Sequence, residues 1–198
     1  MRGMIFALGL AAAMCAGEAV AADAPISPPS PLIDPGKVDS PSRATFARHF
    51  SVGALKGDIG TTTLSAIARQ AGGQVQSGVT GGDALQWLCY DLPAAHQRVW
   101  LSVSGGKTMD MVTAVPLTDR DPRSPACTTN AAAALVIDDG IKLGMTRAEL
   151  TTRLGSPSRE VSGWLVYRTD AKARTTAVVV HIDGDRVVFL EAFNTPAK

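Results

Sequence analysis

The chain contains the same local pattern twice, a short helix with clear start and stop signals followed by strand residues, and this repeat limits the folds open to it. In the second copy Thr146 is a predicted N-cap, and Glu149 three residues later completes a capping box. Gly155 and then Pro157 end the helix. The aromatic and β-branched run at 164–167 predicts that a strand follows.

The first copy predicts the same elements in the same order. A helix is expected from about Thr62 or Thr63 to Ala71, because its apolar side chains recur at helical spacing. Alternating strands follow, with a glycine turn at 105–106 that matches the turn at 183–185. A single unit of this size buries its sheet face poorly, so the two should share a core. The predicted fold class is α+β: two tandem helix-plus-antiparallel-sheet units, with the helices packed on one face of the sheet.

Residues of the second copy resemble a family signature. The matching strings are Gly144-Met145-Thr146, Glu149-Leu150, Leu154-Gly155-Ser156-Pro157 and, further on, Trp164 and Tyr167. This set resembles the small outer-membrane-assembly lipoproteins of the BamE (SmpA/OmlA) type. It is also similar to each half of the secreted β-lactamase-inhibitor protein, which carries the module in tandem. Because the matching residues are caps, helix ends and core positions, the resemblance implies a fold rather than a function.

Four segments are predicted along the chain. Residues 1–21 have the charged start, apolar run and A-x-A end of a secretory signal peptide. The Pro-rich residues 22–44 are predicted to be an extended tether, with a polyproline ligand for some partner domain as the open alternative. Residues 45–127 are the first α+β unit with its connecting loop, and residues 128–198 are the second.

The signal peptide predicts a periplasmic or secreted protein. Cys15 keeps an outer-membrane lipoprotein open as the alternative, although Met14 in front of it is larger than the residue that a lipidation signal needs. Contact with a membrane is therefore expected only if Cys15 is lipidated. The formal net charge is +1, so bulk charge attracts neither nucleic acid nor an anionic membrane.

Cys89 and Cys127 are the cysteines that remain once the signal peptide is removed. In an exported protein an even pair predicts one structural disulfide, with two free thiols as the alternative. The sequence has no CxxC motif, and its three histidines show no ligand spacing relative to either cysteine. It therefore predicts no metal and no cofactor.

The sequence shows no assembled catalytic site. It has no G-x-S-x-G elbow, no phosphate-binding loop and no HExxH motif. Asp138 and Asp139 could form an acid/base pair, but neighbouring residues on an extended chain point to opposite faces, and a pair before Gly140 is typical of a turn. The chain is predicted not to be an enzyme, and an enzyme with an unrecognised site is the alternative.

Trp87 and Trp164 stand at matching positions of the two copies. The simpler interpretation is that each packs between its helix and its sheet. The other is that one of them lies on a binding face, since tryptophan is enriched at interface hot spots.

Two residues are predicted to contact a partner. Trp100 is out of phase with Val99 and Leu101, so it should lie on the other face of the sheet. His181 should lie on the strand face opposite that of Val180, so it should face solvent or a partner. The sequence predicts a non-enzymatic exported binding protein of the cell envelope, such as a protein-binding or inhibitor-like module, whose partner is a protein or an envelope component. The alternative function is an outer-membrane assembly or scaffold lipoprotein of BamE type.

Overall fold

A computed structural model of the protein describes residues 26–36, 39, 46–80, 83–118, 126–131, 133–138, 140–171 and 173–196. The predicted signal peptide, Cys15 and Asp139 lie outside the described residues, as does part of the predicted tether. Within the described chain, no helix is both long enough and apolar enough to cross a membrane.

The described residues form two α-helices and twelve strands. In chain order these are β1 (His49–Val52), β2 (Leu55–Asp58), α1 (Leu64–Ala71), β3 (Gln76–Thr80), β4 (Asp83–Leu92), β5 (Gln97–Ser104), β6 (Met111–Pro116), β7 (Thr128–Thr129), β8 (Leu135–Ile137), α2 (Arg147–Leu154), β9 (Arg159–Val161), β10 (Trp164–Asp170), β11 (Arg174–Asp183) and β12 (Arg186–Pro196). A single 3₁₀ turn, Pro93–Ala95, joins β4 to β5.

Nine of these strands form one sheet in the order β3-β4-β5-β6-β12-β11-β10-β9, with β7 added beside β4. All of its pairings are antiparallel except the short parallel contact of β7 with β4. The first and second halves meet where β6 pairs with β12, from Ala114 opposite Leu190 to Met111 opposite Phe193. Backbone hydrogen bonds therefore run continuously across the middle of the sheet.

The fold-class prediction of two tandem helix-plus-sheet units was wrong. The described chain is mostly antiparallel sheet, and its two α-helices have eight residues each. The helix signals were strong because capping is local, whereas the pairing of β6 with β12 joins residues far apart in the sequence. That pairing cannot be recognised from either half alone.

Both helices begin and end at capping residues. The Thr63 hydroxyl oxygen accepts a hydrogen bond from the Ala66 N–H at the start of α1. The capping box at the start of α2 is complete: the Thr146 N–H donates to the Glu149 carboxylate (2.7 Å), and the Glu149 N–H donates to the Thr146 hydroxyl (3.2 Å). Gly155 follows α2 at a φ of 77°, a conformation that favours glycine.

The main core lies on one face of the large sheet. Its buried side chains come from both helices, from both halves of the large sheet and from a second sheet in the order β2-β1-β8. The segment that leads into this second sheet is extended from His49 onward, where β1 begins. Pairing with β2 and β8 on both sides supplies the hydrogen bonds that extend this segment.

The opposite face of the large sheet is also covered. Trp87 is fully buried there beside Cys89 and Trp100, and Trp164 packs on that face against Val166. The interpretation that Trp87 and Trp164 pack between a helix and the sheet was wrong, because their strand neighbours Leu88 and Leu165 are the ones that enter the main core with the helices.

The predicted disulfide is confirmed. Cys89 on β4 is bonded to Cys127, which directly precedes β7, and their Cα atoms are 4.6 Å apart. The bond holds Cys127 in the buried cluster that contains Trp87 and Trp100.

Candidate functional site

Residues 26–36, which we call the strap, lie across the sheet face opposite the main core. Ile26 packs into the cluster that contains Trp100, and Ile33, which is 8% exposed, packs against Val166 and Val179. These contacts carry the strap from β5 across the centre of the sheet to β10. Over these residues the chain lies on the sheet, whereas a tether would stand away from it.

Trp100 fastens one end of the strap. The residue is 3% exposed, and its Nε1–H donates a hydrogen bond to the carbonyl oxygen of Ile26 (3.0 Å). Most buried indole N–H groups have a hydrogen-bond partner, and here the partner is the main chain of an extended segment. Trp100 therefore contacts polypeptide backbone on the face where the sequence predicted it to lie.

Arg168 fastens the other end. Its Nη1 donates to the carbonyl oxygen of Pro35 (3.0 Å), while its Nε donates to the Asp170 carboxylate (3.0 and 3.1 Å). A little further along, the Asp39 N–H donates to the Ser158 carbonyl oxygen (3.0 Å). The strap is held by main-chain hydrogen bonds at both ends and by apolar burial between them.

Glu191 lies at the centre of the strap face. It is on β12 between Leu190 and Ala192, whose side chains enter the main core, so its own carboxyl group points to the strap side. The residue is 4% exposed, and the Thr113 hydroxyl on β6 donates a long hydrogen bond to it (3.4 Å). Burial raises the pKa of Glu191 to about 7, against the smaller lowering effect of that hydrogen bond.

A cavity of about 340 Å³ lies between the strap and the sheet, with Glu191 in its wall. It is lined by Pro28, Pro29, Ser30, Pro31, Ile33 and Pro35 of the strap and by Asp83, Leu85, Ser104, Met111 and Glu191 of the sheet. Such a volume falls in the range of small-molecule sites, which are mostly apolar with a few polar groups. This cavity and the strap above it form the candidate site.

A second, larger cavity of about 840 Å³ adjoins it near the end of the strap, and Ser104 lines both. Its polar groups are engaged with one another. The Asp110 carboxylate accepts hydrogen bonds from the Ser104 N–H and hydroxyl (2.8 Å to the hydroxyl), and Arg168 is bound to Asp170. Burial raises the pKa of Asp110, and the hydrogen bonds from Ser104 oppose this rise.

His181 lies on the same sheet face as Trp100 but in a different place. Its ring stacks on Trp164 with 4.7 Å between centroids, and Trp164 in turn meets Phe189 edge-on at 5.1 Å. Three strand spacings, about 14 Å, separate β5 from β11 in the sheet. The two predicted binding residues therefore share a face without forming one site.

The other predicted candidate groups have structural partners. The Asp138 carboxylate accepts hydrogen bonds from the backbone N–H groups of Arg48 (3.1 Å) and His49 (2.9 Å), which ties it to the start of β1. The ligand atoms of Cys89, Asp91 and Cys127 lie close together, but the two sulfur atoms are bonded to each other.

Sequence reasoning missed Glu191 and the strap contacts. The signal for Glu191 was the single acidic residue inside the apolar run 187–193, in phase with Phe189 and Phe193. For the strap, the signal was the presence of Ile26 and Ile33 within a Pro-rich segment otherwise expected to stay in solvent.

Comparisons with known proteins give no family. No family model and no curated protein match the chain. Among solved structures, the chain is similar to a DUF4309 family protein (YjgB) from Bacillus subtilis subsp. subtilis str. 168, with a TM-score of 0.39 and 12% sequence identity over 69% of this chain and 80% of that one. That score is too low to transfer a fold or a function.

The resemblance to the BamE-type module and to the two halves of the β-lactamase-inhibitor protein was wrong. No family model matches the chain, and the described strands form one continuous, largely antiparallel sheet. Apart from a few core positions, the matching residues were caps and helix ends. These occur in unrelated folds because every helix has unpaired backbone groups at its two ends.

Proposed function

We propose that this chain is an exported, non-enzymatic binding protein, and that its strap face binds an extended segment of a partner polypeptide in the place now taken by residues 26–36. The observation that carries the proposal is the hydrogen bond from the buried Trp100 indole to the Ile26 carbonyl oxygen. Aromatic side chains that bury a Pro-rich segment and bond its main chain are a recurring way to recognise extended peptides.

The apolar contacts of the strap support the same proposal. Ile33 fills a site between Val166 and Val179, and Pro28 is also buried. Leu32 between them is 88% exposed, so only some side chains of the strap are held by the sheet. A partner segment would need apolar side chains at the positions of Pro28 and Ile33. At the other positions many different side chains would be tolerated.

Export is supported by two independent features. Residues 1–21 have the pattern of a secretory signal peptide, and the Cys89–Cys127 disulfide is a bond that persists in oxidising compartments. The partner is therefore proposed to be a protein of the cell envelope or of the surroundings of the cell.

The test uses a labelled synthetic peptide of residues 26–36 and the mature chain, residues 22–198. The attached strap competes at an effective concentration of about millimolar, so the unmodified chain should bind the peptide weakly. Ile33→Asp puts a carboxylate against Val166 and Val179 and should release the strap, and peptide binding should then rise at least about tenfold by fluorescence anisotropy. Leu32→Asp is the matched control, since its exposed side chain should leave the strap in place.

Trp100→Phe in the Ile33→Asp background isolates the indole hydrogen bond. Loss of about 1 kcal/mol predicts roughly fivefold weaker peptide binding. The proposal fails if the Ile33→Asp chain binds no peptide, if Leu32→Asp raises binding equally, or if Trp100→Phe leaves binding unchanged.

A further inference from the structure

We infer that the cavity beneath the strap is a binding site for an organic cation, a primary ammonium group on an apolar body, whose charge pairs with the Glu191 carboxylate. This inference does not depend on polypeptide binding, because the strap stays in place as the roof of the cavity. It assigns a ligand chemistry to a buried acid that receives one long hydrogen bond, from Thr113.

The first argument is the state of Glu191. Buried carboxylates are normally paired with a cation or with several hydrogen-bond donors. Among the described residues Glu191 has the single long hydrogen bond from Thr113 and no salt bridge, although it is 4% exposed. A cation inside the cavity would supply the charged partner that the described residues do not provide for Glu191.

The second argument is the lining. Around Glu191 the walls are apolar: the strap contributes prolines and Ile33, and the sheet contributes Leu85 and Met111. A mostly apolar cavity of about 340 Å³ with one buried acid in its wall fits a ligand that has an apolar body and one basic group. A polar ligand such as a sugar would leave most of its hydroxyl groups unpaired there.

The third argument separates an ammonium from a guanidinium group. A guanidinium binds a carboxylate best through two parallel hydrogen bonds, which need both oxygens of the acid. Oε2 of Glu191 already accepts the Thr113 hydroxyl, which occupies one of its lone-pair sites and makes a symmetric two-bond pair with a guanidinium less favourable. An ammonium group acts as a compact charge and can use the other oxygen.

Ionisation of Glu191 should then control binding, and the groups around it allow this. Next to Glu191 in the sheet are Thr113 on β6 and Val179 on β11, both uncharged. Asp83, which is exposed on β4, is the other titratable residue in the cavity lining. Since burial raises the pKa of Glu191 to about 7, binding should strengthen as pH rises through that value and level off above it.

The experiment is isothermal titration of the mature chain, residues 22–198, with n-hexylammonium, 1-hexanol and hexanoate. At about pH 8 the ammonium probe should bind at about millimolar or tighter and at least about tenfold more strongly than the alcohol, and hexanoate should bind weakest. At about pH 6 its affinity should fall about tenfold, with uptake of the ligand releasing nearly one proton, measured in buffers of different ionisation enthalpy.

Glu191→Gln keeps the shape of the side chain and should abolish the preference for ammonium over alcohol. Glu160→Gln is the matched control, and it should change the affinity less than about twofold because this half-exposed carboxylate is not in the cavity lining and is bound to Arg147. N-acetyl-lysine amide tests whether the cation can be a lysyl side chain; if n-hexylammonium alone binds, the ligand is a free amine.

Three results would overturn the inference. The ammonium and the alcohol could bind equally well, the Glu191→Gln variant could keep the preference, or neither ammonium probe could bind. Proton release by the unmodified chain is a separate readout, so the inference can still be tested if a variant folds poorly.

Discussion

Replacing Glu191 with glutamine should change how stability depends on pH. Burial raises the pKa of this carboxyl group from its usual 4.5 to about 7 in the folded protein. As pH rises, the unfolded chain loses this proton near pH 4.5, whereas the folded chain keeps it until about pH 7. The contribution of the carboxyl group to the unfolding free energy is therefore fully present below about pH 4.5 and is lost as pH rises through about 7. Over about 2.5 pH units this amounts to about 3 kcal/mol of unfolding free energy. Glutamine cannot ionise, so the variant should not show this loss.

The assay is equilibrium unfolding in urea, followed by tryptophan fluorescence with the disulfide intact, at several pH values across this window. The quantity to compare is the unfolding free energy of Glu191→Gln minus that of the unmodified chain. This difference removes the contributions of Glu149 and Asp170, whose pKa values are lowered by hydrogen bonds from Thr146 and Thr175 respectively and which act in the opposite direction. It should grow by about 3 kcal/mol between about pH 4.5 and 7.

Glu160→Gln is the matched control. Its carboxylate is half exposed and bound to Arg147 at 2.9 Å, so the change should cost less than about 1 kcal/mol across the window. If the pH curves of the unmodified chain and of Glu191→Gln run parallel, the carboxyl group is not held neutral by burial. The reasoning that links its position on β12 to its ionisation would then be refuted.

Two further predictions concern the disulfide and the cap of α2, which were both predicted from the sequence. Changing Cys89 and Cys127 together to alanine should lower the unfolding free energy by about 4 kcal/mol, because the bond closes a loop with a sequence separation of 38. Urea unfolding of the oxidised chain and of the variant measures this difference. A loss below about 1 kcal/mol would mean that other contacts hold the loop. Thr146→Ala should cost about 1 kcal/mol by removing the hydroxyl that caps α2, while Thr146→Ser should stay near the original value in the same assay; equal effects of the two would contradict a role for the hydroxyl.

Local features of the fold could be predicted because their causes are local. The caps at Thr63 and Thr146 involve residues three positions further along the chain. The prediction of the disulfide used only the number of cysteines and the predicted export. The alternation around Trp100 also placed that residue on the face opposite Val99 and Leu101.

Features that depend on distant parts of the chain could not be predicted. Strand β4 is buried on both faces from Trp87 to Leu92, so its burial pattern has no alternation from which its faces could be distinguished. The strap is Pro-rich, a composition that predicts an extended chain in solvent unless a surface is known to receive it. That surface is made by β5, β6 and β10 to β12, and it exists only after the sheet has formed.

Glu191 illustrates the same limit at a single residue. Its isolated position in an apolar run marked it as unusual, but only the pairing of β12 with both β6 and β11 shows that it lies in the middle of a covered sheet. The same glutamate on an edge strand would be an ordinary solvated acid. The candidate site therefore follows from topology more than from any motif.

The central place of β12 has a consequence for biosynthesis. β12 is the last described strand in sequence, yet it lies between β6 and β11. While the chain emerges from the ribosome, β3 to β6 can pair first, but β6 then presents an open edge until β12 arrives. A nascent chain stalled before residue 186 should be prone to exchange strands with a second copy, and the strap should close over the sheet only as the final event of folding.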